Sequence, residues 1–260
     1  MGDDQVAGHG GPGPAAVSES NSHVDVWAVD LDDWHLSHSR HESPVAEDGA
    51  AAARLRSPLA ARRLLARRGF VRSVLGIELG RPADAIGLVR SCQRCGSSEH
   101  GRPELVGGEV NFSVSSSGGV AVVAVPGPGR RSADVGAPIG IDIEEIVPGA
   151  DRPTSVLTPD ELATLGSLAT DERDGAFLRS WTAKEAVLKA AERTVADNPA
   201  TVDARDRMVG RSGRVRWAGT EWYVEEVDIP PVDGIATVTT VATRDGAAVT
   251  VRWVDGRPVA

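Results

Sequence analysis

The sequence predicts an α+β fold built in two halves. Helix-like and strand-like stretches mix along both halves, without the strand–helix–strand rhythm of a doubly wound sheet. The chain has 260 residues, 41% of them hydrophobic, enough for one large domain or two small ones around a real core. Between the halves, Pro126 to Pro138 carries two arginines and several glycines and reads as a linker.

Met1 to Ser22 is rich in Gly, Pro, Ser and Ala and lacks the basic start and apolar stretch of a signal peptide. It is expected to be a disordered tail on a cytoplasmic protein. Order is expected from Val24, where Val24 to Val29 alternates like a half-buried strand. A polar stretch runs from Asp30 to about Gly49. From Ala50 to Leu75, Leu, Ala and Arg dominate, and Pro58 suits a first helical turn. Gly76 to Gly108 reads mostly as loop. Val110 to Val114 is a predicted strand, Ser115 to Gly119 a polar turn, and Val120 to Val125 a returning strand. In the second half, Ile139 to Ile143 predicts a strand, followed by helices from Pro159 and over Asp171 to Ala191. Trp222 to Val227, Ala236 to Ala242 and Ala247 to Trp253 complete it as strands. The implied division is residues 23–130 for the first half and 131–260 for the second.

The net charge of −9 argues against a nucleic-acid surface. No run of about 18 apolar residues is present to span a membrane. Two cysteines, Cys92 and Cys95, are too few for a disulfide framework, and without a second pair they make a poor zinc site. The charge is unevenly spread. Seven arginines and no acidic residue lie between Arg54 and Arg72, which suits a small anionic ligand.

Four short segments carry chemistry. In Ile139-Gly140-Ile141-Asp142-Ile143-Glu144, strand alternation puts the isoleucines on one face and both carboxylates on the other, where they can hold a hard cation or simply meet solvent. In Trp181-Thr182-Ala183-Lys184-Glu185-Ala186-Val187-Leu188-Lys189, helical spacing aligns Trp181, Glu185 and Lys189. Lys184 and Lys189 are the only lysines, against 26 arginines. A compact ammonium on a flexible stem suits a phosphate oxygen in a tight site, although a surface ion pair needs no ligand. Ser115-Ser116-Ser117-Gly118-Gly119 offers hydroxyls and open amides that can cradle phosphate or sit solvated in a loop. His100-Gly101-Arg102-Pro103 presents a cation on a fixed turn.

Together, and in this order, these segments resemble the motifs of the 4′-phosphopantetheinyl transferases. The resemblance runs over roughly Val24 to Val254 and is closest to the large, Sfp-type class. It implies a pseudo-twofold arrangement of two similar α/β halves in one monomeric chain. It implies transfer of phosphopantetheine from coenzyme A to a serine of an acyl or peptidyl carrier protein. A catalytically silent relative that binds coenzyme A or carrier protein is the alternative. The implied Mg²⁺ ligands are Asp142, Glu144 and Glu185. Glu185 would also accept the serine proton, and Lys184 and Lys189 would neutralise the pyrophosphate. Arg63, counted back from Val71-Arg72-Ser73-Val74, aligns with a family arginine at the 3′-phosphate. Arg102, Pro103, Ser115 and Ser116 would line the nucleotide end. Ser116 stands where the family commonly has His, and Ala191 to Asp197 departs from its Gly-rich loop. Ile146 to Pro159, with Val147, Val156 and Leu157, is a candidate surface for the carrier helix.

Overall fold

A computed structural model describes residues 23–38, 45–92, 95–97, 101–127, 137–193 and 198–254. The expected tail, most of the linker, His100 and residues 194–197 lie outside the described residues. The architecture is mixed α+β, with two four-stranded sheets, a two-stranded ribbon and five helices among those residues.

The first sheet centres on β1 (His23–Asp30) and β5 (Val120–Pro126), which pair antiparallel; β4 (Ser113–Ser117) adds to β5. The other edge comes from the end of the chain, where β10 (Ala248–Val254) pairs parallel to β1. Valine and alanine fill β5, and every residue of it is buried, as expected for a strand covered on both faces. One face packs Trp27, Val29, Ala121 and Val123 against Phe70, Val74 and Leu75 of α3 (Pro58–Leu79). The other packs Val24, Val26, Val122 and Ala124 against Ile139, Ile141 and Ile143. Those isoleucines belong to β6 (Ile139–Glu145), an edge of the second sheet. From β6 the second sheet runs through β9 (Thr237–Thr243) and β8 (Thr220–Val227) to β7 (Ser212–Trp217). In both sheets a leading strand is followed by a long helix and is then paired antiparallel by a later strand, β5 for β1 and β9 for β6.

Helix α3 starts as its sequence suggests. Pro58 occupies the first turn, the Ser57 hydroxyl accepts from Ala60 N, and Gly80 ends the helix in a left-handed conformation with φ of 63°. Among the described residues, the polar stretch after β1 contributes α1 (Leu31–His38) and the start of α2 (Ala46–Ala53). The segment expected to be loop carries the last turn of α3 and the ribbon of β2 (Leu88–Ser91) and β3 (Arg102–Leu105). A Thr158 capping box begins α4 (Pro159–Ser167), and α5 (Arg173–Ala190) lies on β6 and β9.

Two contacts fix α5 and β4 against β6. The first is close approach. A Cβ on Gly140 would sit 1.8 Å from Ala186 O and 2.7 Å from Ala190 N, so only glycine lets the helix backbone meet the strand. The second is a serine seam. Strand alternation points Ser113, Ser115 and Ser117 the same way, and Ser113 Oγ and Ser117 Oγ accept from Ile141 N and Glu145 N at 3.1 Å each. Two exposed sheet edges are thereby joined through side chains instead of a backbone ladder.

Gly140→Ala is expected to lower the unfolding free energy by about 3 kcal/mol, since backbone rather than a flexible side chain must give way. Urea denaturation measures this; an unchanged midpoint would mean that the helix does not rest on the strand at Gly140.

Candidate functional site

The face of β6 opposite its isoleucines carries Gly140, Asp142 and Glu144, and α5 runs along it. Four helical residues advance about 6 Å and two strand residues about 6.7 Å. Lys189 and Trp181, eight helical residues or about 12 Å apart, instead converge from either side of Glu185 on Asp142 and Glu144, about 6.7 Å apart. Lys189 Nζ donates to Asp142 Oδ1 at 2.6 Å, and Trp181 Nε1 donates to Glu144 Oε1 at 3.3 Å. Lys189 also donates to Ser115 Oγ at 3.0 Å and to Ile141 O at 3.1 Å, while Ser115 Oγ donates to Asp142 Oδ1 at 2.8 Å. Glu144 Oε2 accepts from Ser117 Oγ at 2.9 Å.

Two carboxylate oxygens are left over. Asp142 Oδ2 and Glu185 Oε1 are buried and have no hydrogen-bond partner. The Glu185 carboxyl is pushed up to about 7, by burial first and then by Asp142, with Lys189 pulling it down and Glu144 adding a smaller upward push. An acid raised from its ordinary 4.5 opposes folding in its charged form. Its cost therefore appears as pH climbs from the unfolded value through about 7. A bound cation would satisfy both oxygens and lower that cost. Among the described residues no three acidic, His or Cys groups already form a metal cluster. Asp142 and Glu185 nevertheless fit Mg²⁺, which takes one or two carboxylates and keeps other ligand positions for substrate and water.

Glu185 and Lys189 open onto a cavity of 260 Å³ also lined by Arg67, Arg90, Arg102, Pro103, Ser115 and Arg193. Arg102 is anchored by Asn111 Oδ1, the Phe112 carbonyl and Lys189 O at 3.3 Å. Arg90 donates to Gly101 O at 2.9 Å. Burial lowers the pKa of Arg67, Arg90 and Arg102 from the usual arginine value, and the neighbouring arginines lower Arg67 and Arg90 further. A chamber that crowds desolvated cations in this way favours an anionic ligand.

Of the residues singled out in the sequence, Arg102, Pro103, Ser115, Glu185 and Lys189 meet at this cavity. Asp142 and Glu144 stand behind it on β6. Lys184 does not belong to the group. It neighbours Glu185 in sequence, but the helix turns it into the core, where it is fully buried. Its Nζ pairs with Glu161 at 2.7 Å and donates to Val202 O at 2.6 Å and Pro199 O at 3.0 Å. Its expected role at a pyrophosphate is corrected to a structural one.

Arg63 also stands apart. It lines a separate groove and makes a forked ion pair with Asp32, its Nη2 2.6 Å from Oδ2, which raises its pKa. Ser115 and Ser116 are not in a phosphate-cradling turn. They lie in β4, so Ser115 faces the carboxylates and Ser116 faces α3. Of the three apolar residues proposed for a carrier helix, Val147 is exposed, Val156 is half-buried and Leu157 is buried. Arg67, Arg90 and Arg193 went unrecognised. Arg67 was within reach of sequence reasoning, because it follows Arg63 by one helical turn inside the seven-arginine run.

Residues 138–231 match the sequence profile of the 4′-phosphopantetheinyl transferase superfamily, a span that holds β6 and α5. The 4′-phosphopantetheinyl transferase HetI of Nostoc sp. is 28% identical over 187 residues, covering 69% of this chain and 73% of the relative. In that span the chain is similar to the 4′-phosphopantetheinyl transferase superfamily.

Lys184→Met is expected to lower the unfolding free energy by about 3 kcal/mol, because Glu161 would remain buried without its cation. Pyrophosphate affinity should stay within about twofold, since the amine lies away from the cavity. Unchanged stability with lost pyrophosphate binding would return Lys184 to the site.

Proposed function

We propose that this protein transfers the 4′-phosphopantetheine group of coenzyme A to a serine of an acyl or peptidyl carrier protein, releasing adenosine 3′,5′-bisphosphate. It would do so as an Sfp-type enzyme with two pseudo-twofold halves. The observation that carries this reading is the meeting of Glu185 and Lys189 at an arginine-lined cavity, with Asp142 bonded to Lys189 behind it. The recurring pairing of a leading strand with a later antiparallel one, β1 with β5 and β6 with β9, supports the subclass.

In this reading the nucleotide lies among Arg102, Pro103 and the neighbouring arginines, and its pyrophosphate points toward Lys189. Asp142 and Glu185 would hold Mg²⁺, with Glu144 close by on the same strand face. The ion would supply positive charge against the pyrophosphate oxygens. Lys189, braced by Asp142 and Ser115, neutralises charge that grows as the leaving group departs. Glu185 would accept the proton of the carrier serine. Phosphoryl-type transfer needs this positioning and neutralisation more than a covalent intermediate.

The test is mass spectrometry of a carrier protein incubated with the enzyme, coenzyme A and Mg²⁺. A gain of about 340 Da is expected from the transfer. Asp142→Asn should slow it by about 100-fold or more while keeping the fold, because it removes charge at the reacting end. Coenzyme A binding without any mass gain would identify a silent relative instead. A parental rate in Asp142→Asn would remove that carboxylate from the chemistry.

A further inference from the structure

We propose that Arg67, held by Ser116, is the residue that reads the 3′-phosphate of coenzyme A, and that Arg63 is not. This assignment rests on the proposed function and deepens it.

Side chains alternate along a strand, so adjacent serines serve opposite faces. Ser115 Oγ reaches Asp142 at 2.8 Å, on the side where the pyrophosphate would react. Ser116 Oγ, on the other side, accepts a hydrogen bond from Arg67 Nη1 at 2.9 Å. One strand therefore separates a reacting end from a second anion-attracting point. In coenzyme A a ribose separates the pyrophosphate from the 3′-phosphate, so the ligand has the same division.

Arg67 and Arg63 differ in what already holds them. Arg63 is spoken for by the Asp32 carboxylate, through Nε at 3.2 Å and Nη2 at 2.6 Å. Arg67 has a neutral hydroxyl as its hydrogen-bond partner and a like charge, Arg68, nearby. Arg68 in turn is bound to Asp48 at 2.6 Å. Burying a guanidinium beside another cation and giving it only a hydroxyl is costly unless an anion arrives. Arg67 also lines both the 260 Å³ cavity and the adjoining 460 Å³ groove that contains Ser116 and Gly118. It is thus available to a ligand entering the cavity and sits at the cavity's boundary. Ser116 is a positioning residue here: its oxygen fixes one arm of the guanidinium fork and leaves the other donors for phosphate oxygens.

Calorimetric titration of coenzyme A and dephospho-coenzyme A into four forms of the intact chain tests this. The forms are wild type, Arg67→Gln, Ser116→Ala and Arg63→Gln. Wild type should prefer coenzyme A. Arg67→Gln should weaken coenzyme A by about 10- to 100-fold, the range of a charged hydrogen bond, with dephospho-coenzyme A nearly unchanged. Ser116→Ala should act in the same direction by about threefold, because it loosens the fork without removing its charge. Arg63→Gln should leave the ratio of the two affinities unchanged. Arg67→Lys guards against misfolding, since it keeps the charge and should fall between wild type and Arg67→Gln.

Equal weakening of both ligands by Arg67→Gln would place this residue at the pyrophosphate and overturn the assignment alone. A selective effect of Arg63→Gln in place of Arg67→Gln would also overturn it. Wild-type protein that binds neither ligand would overturn the proposed function, and the assignment with it.

Discussion

The Asp142 carboxylate is the point on which the site depends. It receives Lys189 from α5 and Ser115 from β4, while its own strand, β6, carries the isoleucine face that joins the two sheets. One oxygen thus ties together three elements that are distant in sequence. The remaining oxygen is buried and unsatisfied. A buried acid is stable only when charge or hydrogen bonds compensate it, and here the compensation is partial. Lys189 joins the helix to the strand through one oxygen, while the other is left for the cation of the proposed function.

The same incompleteness recurs across the cavity with the opposite sign. Arg67, Arg90 and Arg102 are desolvated and held mainly by neutral oxygens. Outside the cavity, cations of the same region are matched to carboxylates: Arg63 to Asp32, and Arg68 and Arg72 to Asp48. The difference separates arginines that brace helices from arginines whose charge is left largely uncompensated. It is a distinction of partners rather than of position, since Arg67 lies on α3 among Arg63, Arg68 and Arg72.

That distinction explains what the sequence could and could not reveal. Strand alternation placed Asp142 and Glu144 opposite the isoleucines, and helical spacing aligned Trp181, Glu185 and Lys189. Both rules are local, and both held. Lys184 was misread because its direction is set by Glu161, Pro199 and Val202, which no local pattern links to it. The three serines looked like a turn because serine favours turns over strands. Pairing with β5 and bonding to β6 overrode that preference. Strand β7 was missed because its exposed edge position lets it carry Ser and Arg instead of an apolar alternation. The pairing of β10 with β1 joins the two ends of the chain, and sequence pattern carries no signal for it.

The Asp142–Lys189 contact is the structural keystone of the site, and a double-mutant cycle on it is the most direct test. Unfolding free energies would be measured for wild type, Asp142→Asn, Lys189→Met and the double variant, with a chelator present to remove divalent cations. The account predicts that the two substitutions are strongly coupled, by about 1 to 3 kcal/mol, because each alone leaves a buried partner without its counter-charge. Effects that add to within about 0.5 kcal/mol would show that strand and helix are held together without this contact, and would contradict the account.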